Sequence, residues 1–442
     1  MKKLKGDEKG FVFVTVALLA SLVFAEAVSY LDVTVSQKRL VRSSQNTLEA
    51  QSYAEAGLED AAWEINYHNA AFANNGWNAS GAGGVDRAKA FNFTVMVNGV
   101  QQVIGSYNVT VVGWNTTNPV ITSTGNTQAL GASPVTLRAG MSAVPQFSNA
   151  ISANSYVRLL GGSFTDSYNS ASGPYGGINV LTHGSIMTNS NLGAAAIPFP
   201  ALSMGAAAHI RGDAGTGVGG AIVGGTVEGN TTHDVNNPLP VVVVPADLAA
   251  LPNSGNLMPP WGGATLNLAP GNYRFGSLAV PNGHTINING NTRIYMSASG
   301  GSIGVTGTIH INPGATLTIF SEGAVTLGNW GTPGSGIDNA NGSSNPNSFQ
   351  LFGTPTCLTV NIGDIGNGAG GINFAGIINA PSALLNLYGD SNIYGGVVAQ
   401  RVVLGPGINP VAMPSIHYDE NLLVNGPVRT NPLRLNWVRR IQ

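Results

Sequence analysis

The chain has 442 residues, of which 60 are Gly and only 9% are charged, against roughly 25% in an ordinary soluble domain. A net charge of -2, with every Lys at or before Lys89, leaves no basic stripe for phosphate and excludes nucleic acid as a partner. Cys357 is the only cysteine, so no intrachain disulfide forms; flanked by Leu358 and Val360, it reads as a small buried hydrophobe.

Residues 1–10 form a short Lys-rich leader ending in Lys9-Gly10, and the apolar run Phe11-Val12-Phe13-Val14-Thr15 follows without a polar spacer, continuing through Leu18, Leu19 and Leu22. About 20 such residues in a helix cross a bilayer core. A charged leader, a glycine and a phenylalanine opening an apolar helix resemble a prepilin, in which the bond between Gly10 and Phe11 is cut and the helix is kept. Two rival readings stay open. Ala25-Glu26-Ala27 has the form of a secretory cut site, and the helix also fits an uncut anchor. Against removal stands the continuation, which keeps helical character with no Pro or Gly until Gly57. Ala54, Leu58, Ala61 and Ile65 then repeat at helical spacing, which predicts one helix over 11–68 with an apolar stripe near its end.

Residues 69–145 read as a linker followed by a small antiparallel sheet. The Gly/Asn-rich passage Asn74 to Gly84 ends the helix, and Phe91–Val97 and Val100–Val112 flank Asn98-Gly99, a dipeptide suited to a two-residue hairpin. A further strand is expected near Val135–Arg138.

From about Gln146 the texture changes to short β units separated by Gly, Asn and Pro. Apolar residues two apart recur as Leu278/Val280, Ile286/Ile288, Ile294/Met296, Ile303/Val305, Ile309/Ile311, Leu317/Ile319 and Val325/Leu327. Each pair puts two side chains on one face of a strand. The pattern predicts a parallel β-helix (solenoid) over 146–424, with a flat sandwich as the alternative. At about 24 residues per coil it would hold on the order of eleven coils and measure about 50 Å at ~4.8 Å per coil. The fold class expected is therefore α+β, mainly β. Residues 425–442, with the basic and aromatic Trp437-Val438-Arg439-Arg440, are expected to be a solvated tail.

The start Lys9-Gly10-Phe11 to Ala20, joined to Ala50-Gln51-Ser52-Tyr53-Ala54-Glu55-Ala56-Gly57-Leu58-Glu59-Asp60-Ala61, resembles the N-terminal segment of PilX-type type IV pilus assembly proteins. Ile121–Gly125, Phe147–Ile151, Val157–Tyr168, Ala269–Tyr273, Phe374–Ala383, Tyr394–Ala399 and Ile416–Asp419 resemble the domain of unknown function that accompanies such helices in bacterial envelope proteins. The resemblance implies prepilin peptidase, other pilin-like subunits and the membrane as partners. It also implies insertion in the inner membrane before assembly, then a place at the cell surface or in a pilus. It brings no enzymatic chemistry and no cofactor. One departure concerns the glutamate that major pilins carry at the fifth position of the mature helix: here that position is Thr15, which favours a minor, tip-like or anchored role.

Candidate catalytic and metal residues are few. The seven histidines are scattered, with none in a compact ligand spacing; His284 and His310, about one coil apart, are expected to stack on the coil surface. Asp338, Asp364 and Asp390, each 26 residues from the next, are candidates for an acidic stripe able to bind a cation or protonate a glycosidic oxygen, with turn capping as the plainer reading. The functional expectation is a structural or adhesive surface protein, with surface polysaccharide as a ligand class. A secreted β-helix carbohydrate-active enzyme or binder and a pseudopilin-like secretion component are the alternatives.

Overall fold

The structure, a computed structural model, describes residues 8–67, 72–81, 86–114, 116, 118–129, 132–197, 199–260, 265–297, 301–328, 335–363, 372–405, 413–426 and 428–441. It is a long N-terminal helix followed by a mostly β chain with one antiparallel and two parallel sheets. Two compact units result: residues 1–144 with 429–442, and residues 145–428.

In the first unit the helix α1 (Glu8–Tyr67) has 60 residues, about 90 Å at ~1.5 Å per residue. Its last five turns pack on the sheet through Ala50, Ala54, Leu58, Ala61 and Ile65, all buried, as the spacing of that stripe requires. The helix runs through Gly57 because a Cβ there would meet Ser123 and the Tyr107 ring; glycine is what lets the helix approach the sheet. The sheet runs in the order β1 (Asn78–Ser80), β2 (Asp86–Val97), β3 (Val100–Val112), β4 (Val120–Thr127), β5 (Val135–Pro145) and a C-terminal strand, Val428–Arg440. Asn98 and Gly99 turn β2 into β3 with φ of 50° and 78°, the left-handed pair that matches the twist of a hairpin.

The C-terminal strand corrects the expectation of a solvated tail. Asn66 Oδ1 accepts from the Leu433 N–H at 2.7 Å, Ser142 Oγ bonds Asn436 at 2.8 Å, and the Ile441 N–H donates to the Thr136 carbonyl at 2.9 Å. An unpaired β5 would leave a row of backbone groups without partners, and the tail supplies them. Residues 145–428 are thus inserted, in chain order, between two adjacent strands of this sheet.

In the second unit a 22-stranded and a 4-stranded sheet are built from parallel pairs. Leu278 faces Ile303, which faces Val325, which faces Val360; Ile286, Ile309 and Ile337 form a second such row, and Ile294, Ile319 and Leu351 a third. All seven predicted pairs are buried in one apolar core. The order of pairing departs from the order of the chain at one place. Ile151–Ala153, Val157–Leu159 and Phe164–Tyr168 pair on one side with Ile186–Thr188, Leu202–Met204 and His209–Ile210. On their other side they pair with Asn392–Leu404 and Ser415–Asp419, the last strands of the unit.

Candidate functional site

Gly10 and Phe11 to Phe13 lie within α1. Val14, Leu18, Leu19 and Leu22 are exposed around the helix, and the segment is long and apolar enough to cross a membrane.

The three aspartates do not make a stripe among the described residues. Asp338 lies in the 4-stranded sheet, Asp390 sits in the turn before Asn392–Leu404, and Asp364 lies outside the described residues. Asp390 Oδ1 accepts the Met413 N–H at 2.9 Å, a capping role. Nor do His284 and His310 stack: the register puts His310 beside Asn287 on one side and Asp338 on the other, because His284 falls in the turn before its strand. No group of three or more metal-ligating side chains occurs among the described residues.

The chemistry gathers elsewhere, where the first strands of the second unit meet the last. On Ser415–Asp419 the alternation turns Ile416 and Tyr418 to the core and Ser415, His417 and Asp419 the other way. His417 lies between Tyr394 and Asp166 in register. Its Nδ1 is 2.5 Å from Asp166 Oδ1 and its Nε2 is 2.7 Å from Ser415 Oγ, while the Tyr175 hydroxyl donates to Asp166 Oδ2 at 2.7 Å. The rings of Tyr394 and Tyr175 cover the imidazole at centroid distances of 4.8 and 4.0 Å. Burial raises the hydroxyl pKa of both tyrosines, and the Asp166 charge adds to the rise, which keeps them as donors.

Ser415, His417 and Asp166 have the connectivity of a nucleophilic triad. The donor count argues against that role. Asn392 Nδ2 donates to Asn373 Oδ1 and to the Asp390 carbonyl, so its Oδ1 is left to accept the Ser415 hydroxyl. Ser415 Oγ then accepts from His417 Nε2–H, which is the reverse of what activates a nucleophile. Ser415 is moreover 0% exposed. The assembly works as a buried polar clamp in which His417 bridges Asp166 and Ser415 and each hydrogen bond fixes the next.

Beside the clamp opens a cleft of about 250 Å³, lined by Tyr175, Asp338, Asn339, Gly342, Ser343, Asn373, Ala375 and Tyr394. Asp338 Oδ2 is held by His310 Nδ1 at 2.6 Å, and Ser343 Oγ accepts the Tyr175 N–H at 3.0 Å. The loop that carries Tyr175 thereby becomes the roof of the clamp and a wall of the cleft. Among the clamp residues, Asp166, Tyr394 and His417 fall in passages that carried the family resemblance, but nothing in their local sequence marks them as neighbours.

Residues 224–424 match a family described as "Domain of unknown function (DUF7305)". No curated protein matches the chain. Among solved structures, the competence-associated pilin ComZ from Thermus thermophilus is similar at 10% identity and a TM-score of 0.27, over 89% of this chain and 97% of that one. An ice-binding protein from the Antarctic ascomycete Antarctomyces psychrotrophicus is similar at 12% identity and a TM-score of 0.26, over 62% of this chain and 97% of that one. Scores of this size do not fix the fold of either unit.

Proposed function

We propose that this chain is a pilin-like structural protein of the bacterial envelope, related in kind to PilX-type assembly proteins, that displays a β-solenoid outside the cell for adhesion or envelope structure. The observation that carries the reading is the division of labour along α1. From Val14 to Leu31 its large apolar side chains are exposed to nothing in the chain itself, while from Ala50 to Ile65 its small and apolar residues are buried on the sheet. One helix that is apolar outward at one end and packed inward at the other suits a membrane or a bundle of like helices at the first end and a head at the second.

In this reading prepilin peptidase cuts between Gly10 and Phe11, and other pilin-like subunits take over the apolar helix from the membrane. Thr15, in place of a carboxylate, suits a minor or tip position. The solenoid reading of the second unit is supported by parallel partners that recur row after row, as Ile286, Ile309 and Ile337 do. The protein is read as non-catalytic and without a cofactor.

Mass spectrometry of the intact N-terminus of the protein from its native envelope tests the assembly half of this reading. Phe11 as the first residue is the expected result. Val28 as the first residue would mean that a secretory signal had been removed and would overturn it.

A further inference from the structure

We propose that the cleft beside Tyr394 is a subsite for one ring of a neutral polysaccharide, and that the outward column Asn267, Asn287, His310 and Asp338 carries the polymer away from it. The inference takes from the proposed function only that this face meets the outside of the cell.

The lining of the cleft selects the ligand class. A pyranose ring presents hydroxyls that both donate and accept, and a C–H face that packs on aromatic carbon. Asp338 offers a carboxylate whose Oδ2 is fixed by His310, leaving Oδ1 to accept. Asn373 spends its Oδ1 on Asn392, and its Nδ2 hydrogens stay available. Ser343 accepts through Oγ from the Tyr175 N–H, so its own proton is free to donate. Tyr175 and Tyr394 supply the aromatic carbon, held in place by the clamp beneath them. Convergent donors and acceptors beside aromatic rings, in a cleft of about 250 Å³, fit one small polar ring better than an apolar ligand. Among the described residues no Lys or Arg lines the cleft and a carboxylate does, which disfavours phosphates, sulfates and uronic acids.

The column gives the ligand its length. Asn267 pairs in register with Asn287, Asn287 with His310, and His310 with Asp338, so the four stand in line across the 4-stranded sheet. The Asn287 amide donates to Asn267 Oδ1 at 3.0 Å. Strands lie about 4.8 Å apart, so the line is about 14 Å long and ends in the cleft at Asp338. A row of amides and an imidazole on a parallel sheet offers repeated hydrogen bonds to an extended polymer.

The full chain in detergent should be titrated calorimetrically with dextran, mannan and galactan, with alginate as the acidic control. Binding of at least one neutral polymer and none of alginate is expected. Asp338→Ala should weaken that binding at least tenfold, and Asn267→Ala should weaken binding of the polymer but not of its disaccharide. Both side chains are exposed, so an unchanged thermal melt of each variant is the accompanying control. Failure of every neutral polymer to bind, preference for alginate, or retention of wild-type affinity by Asp338→Ala would overturn the proposal. These outcomes are independent of the N-terminal residue, so either reading can fail while the other stands.

Discussion

His417 Nδ1 lies 2.5 Å from Asp166 Oδ1, although 251 positions of sequence separate the two residues, and both are buried. The contact exists because the strand Phe164–Tyr168 pairs with Ser415–Asp419, the first and last parts of the second unit lying side by side. Removing either partner leaves the other buried without its counterpart, a change that typically costs about 3–5 kcal/mol. Asp166→Ala and His417→Ala should each lower the melting temperature of the second unit sharply. Tyr175→Phe, which removes one donor to the same carboxylate, should cost only about 1 kcal/mol. Equal effects from all three in a calorimetric melt would mean that the clamp is not the source.

The approach of α1 to the sheet predicts a second sensitivity. A Cβ on Gly125 would fall on the backbone of the helix at Ala50 and Ala54, so Gly125→Ala must push the helix off β4. Overpacking of this kind costs about 1–3 kcal/mol. Gly99→Ala meets no atom and suffers only from its φ of 78°, so it should destabilise less. Chemical denaturation of the two variants, followed by Trp fluorescence, compares them directly.

Asp419 supplies a pH dependence. Burial raises its carboxyl above the ordinary 3.8, opposed by hydrogen bonds from the Ser170 N–H and hydroxyl and the Asn421 N–H. A raised folded value means that the native state holds the proton more tightly than the unfolded chain. The resulting contribution to stability is fully present below the ordinary aspartate value and is lost as pH rises through the folded value. Asp419→Asn, which keeps an acceptor for the two N–H groups, should flatten that slope. Asp419→Ala should cost about 1–3 kcal/mol for each stranded donor at any pH. Melting temperatures across acid to neutral pH separate the two variants.

Cys357 is buried, and that burial pushes its thiol up to about 11, so almost no thiolate exists at neutral pH. A disulfide reagent at pH 8 should leave the folded protein unmodified and label one thiol promptly in denaturant. Rapid labelling of the folded chain would contradict the burial.

Local periodicity made much of the secondary structure legible in advance. A period of two exposes itself within a few residues, which is why Leu278/Val280 and the six pairs after it could be read as inward-facing. The stripe from Ala54 to Ile65 and the Asn98-Gly99 turn are local signals of the same kind. Neighbourhood is a different matter. Nothing near Phe164 says that Ser415 lies beside it, because pairing between distant strands leaves no trace in either. The clamp was hidden for a further reason: Asp166, Ser415 and His417 occupy the polar phase of their strands, which ordinarily faces water, and a separate loop with Tyr175 covers them. The C-terminal strand was misread because its Trp-Val-Arg-Arg ending resembles a solvated tail, while the reason for its order is the open edge of β5. Of the three equally spaced aspartates, Asp338 and Asp390 fall in different settings because successive rows differ in length, so an equal sequence interval does not keep a constant place on the surface.

The late strands carry a consequence for biogenesis. Ser415–Asp419 completes the pairing of Phe164–Tyr168, and Val428–Arg440 completes β5, so in both units an early strand waits for a partner that follows more than 200 residues later in the chain. A chain that crosses a membrane N-terminus first would have its helix inserted and most of its length outside before either unit could close. Each would remain an open template during transit, with unpaired edges facing outward. Arrival of these two strands would then be the step that closes the open edges of both units.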